Sequence, residues 1–344
     1  GLLATDASPI AYWPSIQWAA DHMDDITAIY DGHHYIDDWD VTDERFYPWF
    51  ADQMNKGAAT DVPKFKDFIL GEFGCKQAGN TVNGKRNDGC IYWDTPKEPL
   101  VAIQLAEAAI AAMNAGMYAL GNWTFMDFPD DYSTNYQNKW GTFKWTGDDT
   151  STRPHYYGYG LLSKFFRGKS TVVQAKVDDP RLRVAALRHN ASGTWSVVVV
   201  SRNPREVSLE LSLPVAEAAF RKYVYDPANP PFSRFGDLQA PSAVVKLQGG
   251  KFHDRIGAGQ LVVYTTEYDD DPPAAISGVK AEAVEGGVKV TWDKSTAPDW
   301  CYYRVYRGDE QIVSTVATAY VDRAGSAAAK YRVTAVDQSG NEGR

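Results

Sequence analysis

The first 166 residues alternate between short apolar runs and longer segments in which apolar residues recur at helical spacing. Apolar runs of this length, bounded by turn residues, are typical of buried parallel strands. The runs end at Asp6, Tyr35, Gly74 and Phe125. A segment with helix-like spacing follows each run, and the clearest one covers residues 99–116. Four successive strand–helix units predict a parallel sheet with right-handed crossovers.

A closed (β/α)8 TIM barrel contains eight such units and occupies about 250 residues. Residues 1–166 supply four units, so we interpret them as the C-terminal half of a barrel, strands five to eight. The N-terminal half is then expected to precede Gly1 in the same protein.

From residue 167 onward the hydrophobic pattern changes to period two. This alternation predicts antiparallel strands, and we expect a β-sandwich over residues 167–267. An acidic, proline-containing linker covers residues 268–273. Residues 274–344 alternate again, with Trp292 on an early strand, and they resemble a fibronectin type III domain without its last strand. The predicted fold class is therefore multidomain, an α/β half-barrel followed by two all-β domains.

The composition bears on whether the protein binds nucleic acid, a membrane or a sugar. Hydrophobic residues make up 44% of the 344 residues and charged residues 23%, which is typical of a globular protein. The net charge of −9, without a basic cluster, argues against nucleic acid. The sequence has no run of about 18 apolar residues, so we predict no membrane-spanning helix. The 11 Trp, 20 Tyr and 14 Phe fit sugar stacking, although such rings also fill β-rich cores.

The three cysteines bear on the compartment. Cys75 and Cys90 flank one polar loop and could form a disulfide, whereas Cys301 lies far away in the chain. A disulfide favours an oxidising compartment, so we expect the protein to be secreted, at the cell surface or periplasmic.

Candidate chemistry lies at the ends of three consecutive predicted strands. One strand ends in Gly71-Glu72-Phe73-Gly74, a single carboxylate between two glycines. The preceding strand ends with His33 and Tyr35, and the following one with Asn122 and Trp123. Because the C-terminal ends of barrel strands build the active site, we expect these side chains to meet. The simpler alternatives are that Glu72 only closes a strand in solvent and that Trp123 packs in the core.

These motifs, in this order, resemble the retaining glycoside hydrolases of clan A, such as families 5 and 39. The resemblance covers about residues 1–266, and two motifs later in the chain also resemble those of the family. They are Trp140-Gly141-Thr142-Phe143 and the segment from Arg153 to Tyr159. The resemblance implies that Glu72 is the nucleophile and that Trp123 forms the floor under the reacting sugar. His33 and Tyr35 would donate hydrogen bonds that keep Glu72 ionised and aimed.

Further polar residues are candidates for substrate binding. They are Asn122, Asp127, Asp6 and His34. Adjacent side chains on a strand point to opposite faces, however, so His34 is expected to face the barrel wall if His33 faces the site.

The second carboxylate of a retaining glycosidase is not found. It should lie about 5 Å from the nucleophile and protonate the leaving oxygen. The family places it directly after an Asn, and no Asn-Glu pair precedes Glu72. We therefore expect the acid/base residue in the N-terminal half of the barrel.

Metal sites are alternatives at two places. His33 and His34 with Asp31, Asp37 and Asp38 form a conceivable ligand set, but adjacent strand histidines rarely chelate one ion. The oxygen-rich group Asp127, Asp130 and Asp131 would suit a structural Ca²⁺, although we prefer the interpretation as a solvated acidic loop. We predict no cofactor.

Two function classes remain. The first is a glycoside hydrolase that cleaves a β-linked polysaccharide or oligosaccharide by double displacement. The second is a non-catalytic carbohydrate-binding or adhesive protein with a vestigial half-barrel. A carboxylate and a histidine at neighbouring strand ends favour the enzyme.

Overall fold

The computed structural model describes residues 2–7, 13–36, 42–61, 66–74, 81–82, 85–86, 98–129, 137–138, 141–144, 150–326 and 328–343. In the first part of the chain, strands and helices alternate as the hydrophobic pattern predicts. They are β1 (Leu2–Ala7), α1 (Trp13–His22), β2 (Thr27–Tyr35), α2 (Phe46–Asp61), β3 (Asp67–Gly74), β4 (Thr81–Val82), β5 (Lys85–Arg86), α3 (Glu98–Asn114), β6 (Ala119–Asn122), β7 (Phe128–Pro129), β8 (Gln137–Asn138) and α4 (Pro154–Phe165).

Four of these strands form a curled, parallel half-barrel sheet. Its strand order is β1-β2-β3-β6, and each neighbouring pair is parallel. The helix-facing side of the sheet packs on α1, α2 and α3 through side chains such as Tyr30, Leu70, Phe50 and Leu105. The described part of this sheet is open, which agrees with a half-barrel.

Helix α3 is apolar on nearly all sides because two sheets cover it. Leu105 and Ala108 belong to the core beneath the parallel sheet, whereas Ile103 and Ile110 belong to a second core on the other side. A helix that is hydrophobic all round is buried, and every residue from 101 to 112 is buried here.

The second core is closed by a large antiparallel sheet. Its strands are β9 (Ser170–Val173), β10 (Leu182–His189), β11 (Trp195–Ser201), β12 (Val207–Ser212), β13 (Glu217–Tyr225), β14 (Ala243–Gln248), β15 (Lys251–Ile256) and β16 (Leu261–Thr265). They are connected in one eight-stranded sheet of order β12-β15-β14-β13-β16-β11-β10-β9. The sequence predicted a β-sandwich for this part of the chain. In the structure its strands are connected in one sheet, which continues across the β14–β15 turn at Gly249 and Gly250. A third core lies on the other face of this sheet, with Phe220, Phe252 and Tyr264 at its centre.

The chain divides into two compact units, Gly1–Thr266 and Glu267–Arg344. The second unit contains β17 (Lys280–Val284), β18 (Gly287–Thr291), β19 (Trp300–Arg307), β20 (Glu310–Thr315), β21 (Ala319–Asp322) and β22 (Tyr331–Asp337). These strands form two three-stranded sheets, β17-β18-β21 and β20-β19-β22, around a core that includes Trp292 and Tyr303. Of the helices that the structure describes, none is long and apolar enough to cross a membrane.

Candidate active site

An irregularity in β3 brings Glu72 to the same face as His33. Phe68 and Leu70 are buried against the helices, so simple alternation would direct Glu72 to that apolar side as well. The pairing between β2 and β3 instead shifts after Gly32, and Glu72 pairs with His33. A one-residue shift exchanges the faces of all later side chains.

The shift also explains the position of the next residue. Phe73 returns to the helix side, where it is fully buried and its ring lies 6.0 Å from that of Tyr159. Glu72 is half-buried on the opposite side of the sheet.

Gly71 is the residue at which the register changes, and its neighbours leave no space for a side chain. A Cβ atom there would lie 2.5 Å from Oδ1 of Asp31. The backbone N–H of Gly71 donates a hydrogen bond of 2.8 Å to the same oxygen. A Cβ atom on Gly121, in the next strand, would lie 2.3 Å from the carbonyl oxygen of Gly71. Gly71 therefore permits the close approach of Asp31 from one neighbouring strand, and Gly121 permits the close approach of the other.

The imidazole of His33 lies between two carboxylates. Its Nδ1 is 3.5 Å from Oε2 of Glu72, and its Nε2 is 3.4 Å from Oδ2 of Asp31. Asp31 is 3% exposed and precedes His33 by two residues, so both side chains project from the same face of β2. The three residues form a connected polar group at the C-terminal end of the sheet.

The other side of Glu72 is bordered by the end of β6. Phe73 pairs with Asn122, and the backbone N–H of Trp123 donates to the carbonyl oxygen of Phe73 at 2.8 Å. A Cβ atom on Gly74 would lie 2.3 Å from the carbonyl oxygen of Trp123. Trp123 is 40% exposed, so its indole is not a core side chain in this structure. The strand order thus brings His33, Glu72 and Trp123 to the C-terminal edge of the sheet, in the order that was predicted.

His34 does not belong to this group, which corrects its inclusion among the substrate-binding candidates. It is buried on the helix side of β2, with its ring 5.2 Å from Trp49 and 5.7 Å from Phe50. Burial lowers the pKa of His34 to about 4. Because His33 and His34 face opposite sides of the sheet, they also cannot bind one metal ion together.

Asp127 likewise lies apart from the three residues of this group and is buried. It is 0% exposed, and its carboxylate forms an ion pair with Arg153. The other carboxylate oxygen accepts a hydrogen bond of 2.9 Å from the backbone N–H of Gly141. A carboxylate engaged in this way is a poor ligand for the suggested calcium ion.

The two later motifs of the resemblance meet at Asp127. The backbone N–H of Arg153 donates to the carbonyl oxygen of Thr142 at 2.9 Å, and the ring of Phe143 lies 5.3 Å from that of Tyr156. Both motifs therefore fix the loop that follows Trp123.

Several predicted residues cannot be placed. The backbones of Asp6 and Tyr35 lie in β1 and β2, and Tyr35 pairs with Gly74, but their side chains are outside the described part of the chain. The residues that lie wholly outside it are Asp37, Asp38, Cys75, Cys90, Asp130, Asp131 and Trp140.

The position of Asp31 beside His33 was missed in the sequence, where Asp31 was considered only as a metal ligand. Two signals pointed to it. Asp31 lies two residues before His33 on a predicted strand, which places both on one face, and it is a carboxylate directly after the apolar residues 28–30.

A group of three or more potential metal ligands close enough to share a cation occurs at one place among the described residues. Asp269, Asp299 and Asp337 of the second unit have ligand oxygens within 4.8 Å of one another. Asp337 already accepts hydrogen bonds from the backbone and side-chain amides of Asn341, so we assign no metal to this group.

No protein-family model matches the sequence, and no curated protein matches it. Solved structures with a similar fold include glycoside hydrolases. A GH30 endoxylanase from Clostridium papyrosolvens C71 is 15% identical, with a TM-score of 0.48 over 76% of this chain and 55% of that one. A 4-O-α-L-rhamnosyl-β-D-glucuronidase from Fusarium oxysporum 12S is 15% identical, with a TM-score of 0.48 over 77% and 58%.

A family 51 α-L-arabinofuranosidase from Bifidobacterium longum is 10% identical, with a TM-score of 0.50 over 76% of this chain and 59% of that one. The chain thus spans little more than half the length of each of these three proteins. At such identities the likeness concerns the fold and not the reaction. The chain has a glycosidase-like fold.

Proposed function

We propose that this protein is a retaining glycoside hydrolase that cleaves a β-linked polysaccharide or oligosaccharide, with Glu72 as its nucleophile. The observation that carries the proposal is the position of Glu72. A register shift turns it away from the apolar layer and towards His33, at the C-terminal end of a central parallel strand. Side chains at this end of barrel strands form active sites.

The proposed reaction has two steps. An oxygen of the Glu72 carboxylate attacks the anomeric carbon, the bond to the leaving oxygen breaks, and an acid residue protonates that oxygen. Water then attacks the resulting glycosyl ester, the former acid removes a proton from the water, and Glu72 is released as a carboxylate. His33 would hold the attacking carboxylate in place, and the exposed indole of Trp123 would lie under the sugar ring.

The acid/base residue is proposed to lie in an N-terminal half of the barrel. The four parallel strands described here, half the number of a closed barrel, support this part of the proposal. A secreted or cell-surface location is proposed from the cysteine pattern of the sequence alone.

The test compares wild type with Glu72→Gln in the full-length protein. Aryl β-glycosides, xylan and β-glucan serve as substrates, and Asp67→Asn, an exposed acid at the start of the same strand, is the control. We expect Glu72→Gln to reduce the hydrolysis rate by about 10⁴-fold or more. Unchanged hydrolysis by this variant would contradict the nucleophile assignment. Sugar binding by a wild-type protein without any hydrolysis would favour the carbohydrate-binding alternative.

A further inference from the structure

Asp31 is a buried carboxylate that the proposed two-step reaction leaves without a role. It does not lie at the end of its strand, and the exposed edge of the site is formed by other side chains. Both of its carboxylate oxygens nevertheless contact residues of the candidate site. Oδ1 accepts the backbone N–H of Gly71 at 2.8 Å, and Oδ2 lies 3.4 Å from Nε2 of His33.

The surroundings fix this carboxylate in one place. The missing side chain of Gly71 is what makes room for it, since a Cβ atom would lie within 2.5 to 2.9 Å of all three carboxylate atoms of Asp31. The same glycine changes the register of β3 and so turns Glu72 towards His33. One short segment therefore positions both carboxylates around a single imidazole.

The protonation state of the imidazole decides whether His33 can donate hydrogen bonds to both Asp31 and Glu72. A neutral ring has one N–H donor and one acceptor lone pair, so one of the two carboxylates would face a lone pair. A ring that carries both protons offers one N–H to Asp31 and one to Glu72. Only this form of the ring can donate a hydrogen bond to both carboxylates at the same time.

We propose that Asp31 is a positioning residue that acts on Glu72 through His33. It holds the His33 ring with Nε2–H directed to Asp31 and Nδ1–H directed to Glu72. The ring then restricts the rotation of the attacking carboxylate. This inference rests on the proposed function for its effect on rate, but the state of the His33 ring is independent of any activity.

The first experiment reads the His33 ring directly. Nitrogen chemical shifts of ¹⁵N-labelled histidine in the full-length protein distinguish protonated from unprotonated ring nitrogens. We expect both His33 nitrogens to carry protons in wild type and at least one to lose its proton in Asp31→Asn. Asp67→Asn is the matched control, and His34, on the opposite face, is an internal reference whose signals stay the same in both variants.

The second experiment measures kinetics with the best aryl β-glycoside. We expect Asp31→Asn to lower kcat by about 10- to 100-fold, as is typical when a residue that orients a functional histidine is removed. KM should change little, because Asp31 does not touch the substrate. A purely structural Asp31 would lower the thermal stability and leave kcat and the His33 shifts unaltered, and that result would overturn the proposal.

The outcomes separate this inference from the proposed function. If wild type hydrolyses no glycoside, the proposed function fails, while the ring measurement still decides the role of Asp31. If Asp31→Asn does not fold, the nitrogen chemical shifts of His33 in the wild-type protein decide between the outcomes. Two protonated nitrogens on His33 support the arrangement, and an unprotonated Nδ1 facing Glu72 overturns it.

Discussion

The adjacent residues His33 and His34 have different surroundings because their side chains lie on opposite faces of the sheet. His33 lies between two carboxylates on the side of the candidate site, whereas His34 lies among Trp49 and Phe50 on the helix side. Sequence alternation predicted this division, since consecutive side chains on a strand face opposite ways. The division places His33 at the candidate site and His34 in the packed core.

The buried His34 should make stability depend on pH. Its pKa falls from the ordinary 6.5 to about 4, so between these values the unfolded chain binds a proton that the folded chain does not. The free energy of unfolding therefore decreases as the pH falls from 6.5 to 4, by up to about 1.4 kcal/mol per pH unit. His155, with a pKa lowered to about 3 by burial and by Arg153, acts in the same direction.

We predict that His34→Phe will flatten this pH dependence. Phenylalanine suits the aromatic neighbours and has no proton to bind. Urea denaturation at several pH values, for wild type and variant, measures the slope. The two proteins should differ in slope between pH 6.5 and 4 and share the same slope above pH 7. Equal slopes over the whole range would show that His34 is not the buried neutral group described here.

At the scale of elements, the half-barrel was the most predictable part. Each of the strands and helices β1, α1, β2, α2, β3, α3, β6 and α4 corresponds to a segment predicted from hydrophobic periodicity. Strands with few buried residues were missed. Only Leu247 is buried in β14, and no residue of β17 is buried, so neither strand carries a clear alternating pattern.

Three members of the candidate site were predictable from the sequence, but its geometry was not. The order of His33, Glu72 and Trp123 at strand ends could be read from the sequence. The register shift at Gly71 could not, because it depends on how three strands pack together. The ion pair of Asp127 with Arg153 also joins residues far apart in the chain, which left Asp127 as a substrate candidate until its burial was known.

A substitution at Gly71 tests the register shift between β2 and β3. We expect Gly71→Ala to destabilise the first unit by about 1–3 kcal/mol, because the new methyl group would collide with the fixed Asp31 carboxylate. Glycosidase activity should fall with it. Chemical denaturation and hydrolysis rates provide the measurements.

Gly160→Ala is the matched control for this substitution. Its Cβ atom would meet only the movable end of Leu238, and alanine favours the helix by about 1 kcal/mol. If Gly71→Ala were as stable and active as this control, the close approach of Asp31 would not be required.

At the scale of the whole molecule, a buried ionic group joins the half-barrel to the eight-stranded sheet. Glu107 of α3 is 1% exposed, and its carboxylate lies 2.5 Å from Nη2 of Arg202 and 3.5 Å from Nε of Arg183. The guanidinium of Arg183 also lies 4.5 Å from the ring centre of Tyr47 in α2. These contacts explain why residues 1–266 form one compact unit despite containing two kinds of sheet.

Removing the charge of Glu107 should therefore weaken the first unit alone. We predict that Glu107→Gln will cost about 3 kcal/mol, because two buried arginines lose their partner. Calorimetry should show a lower unfolding temperature for the transition of residues 1–266 and an unchanged one for residues 267–344, which have their own core.

The control for this prediction is Glu206→Gln. Glu206 pairs with Arg255 at an exposed position, where an ion pair contributes less than about 1 kcal/mol. Equal effects of the two substitutions would show that the Glu107 group does not hold the unit together.

The central claim, that Glu72 is the nucleophile of a retaining glycosidase, is tested most directly by chemical rescue. Glu72→Ala removes the carboxylate and leaves space for a small anion. The measurement is the hydrolysis rate of an aryl β-glycoside by this variant in the full-length protein, with and without azide. We predict almost no turnover without azide and restored release of the phenol with it, together with an α-glycosyl azide as product. Full hydrolysis by Glu72→Ala in the absence of azide would contradict the account.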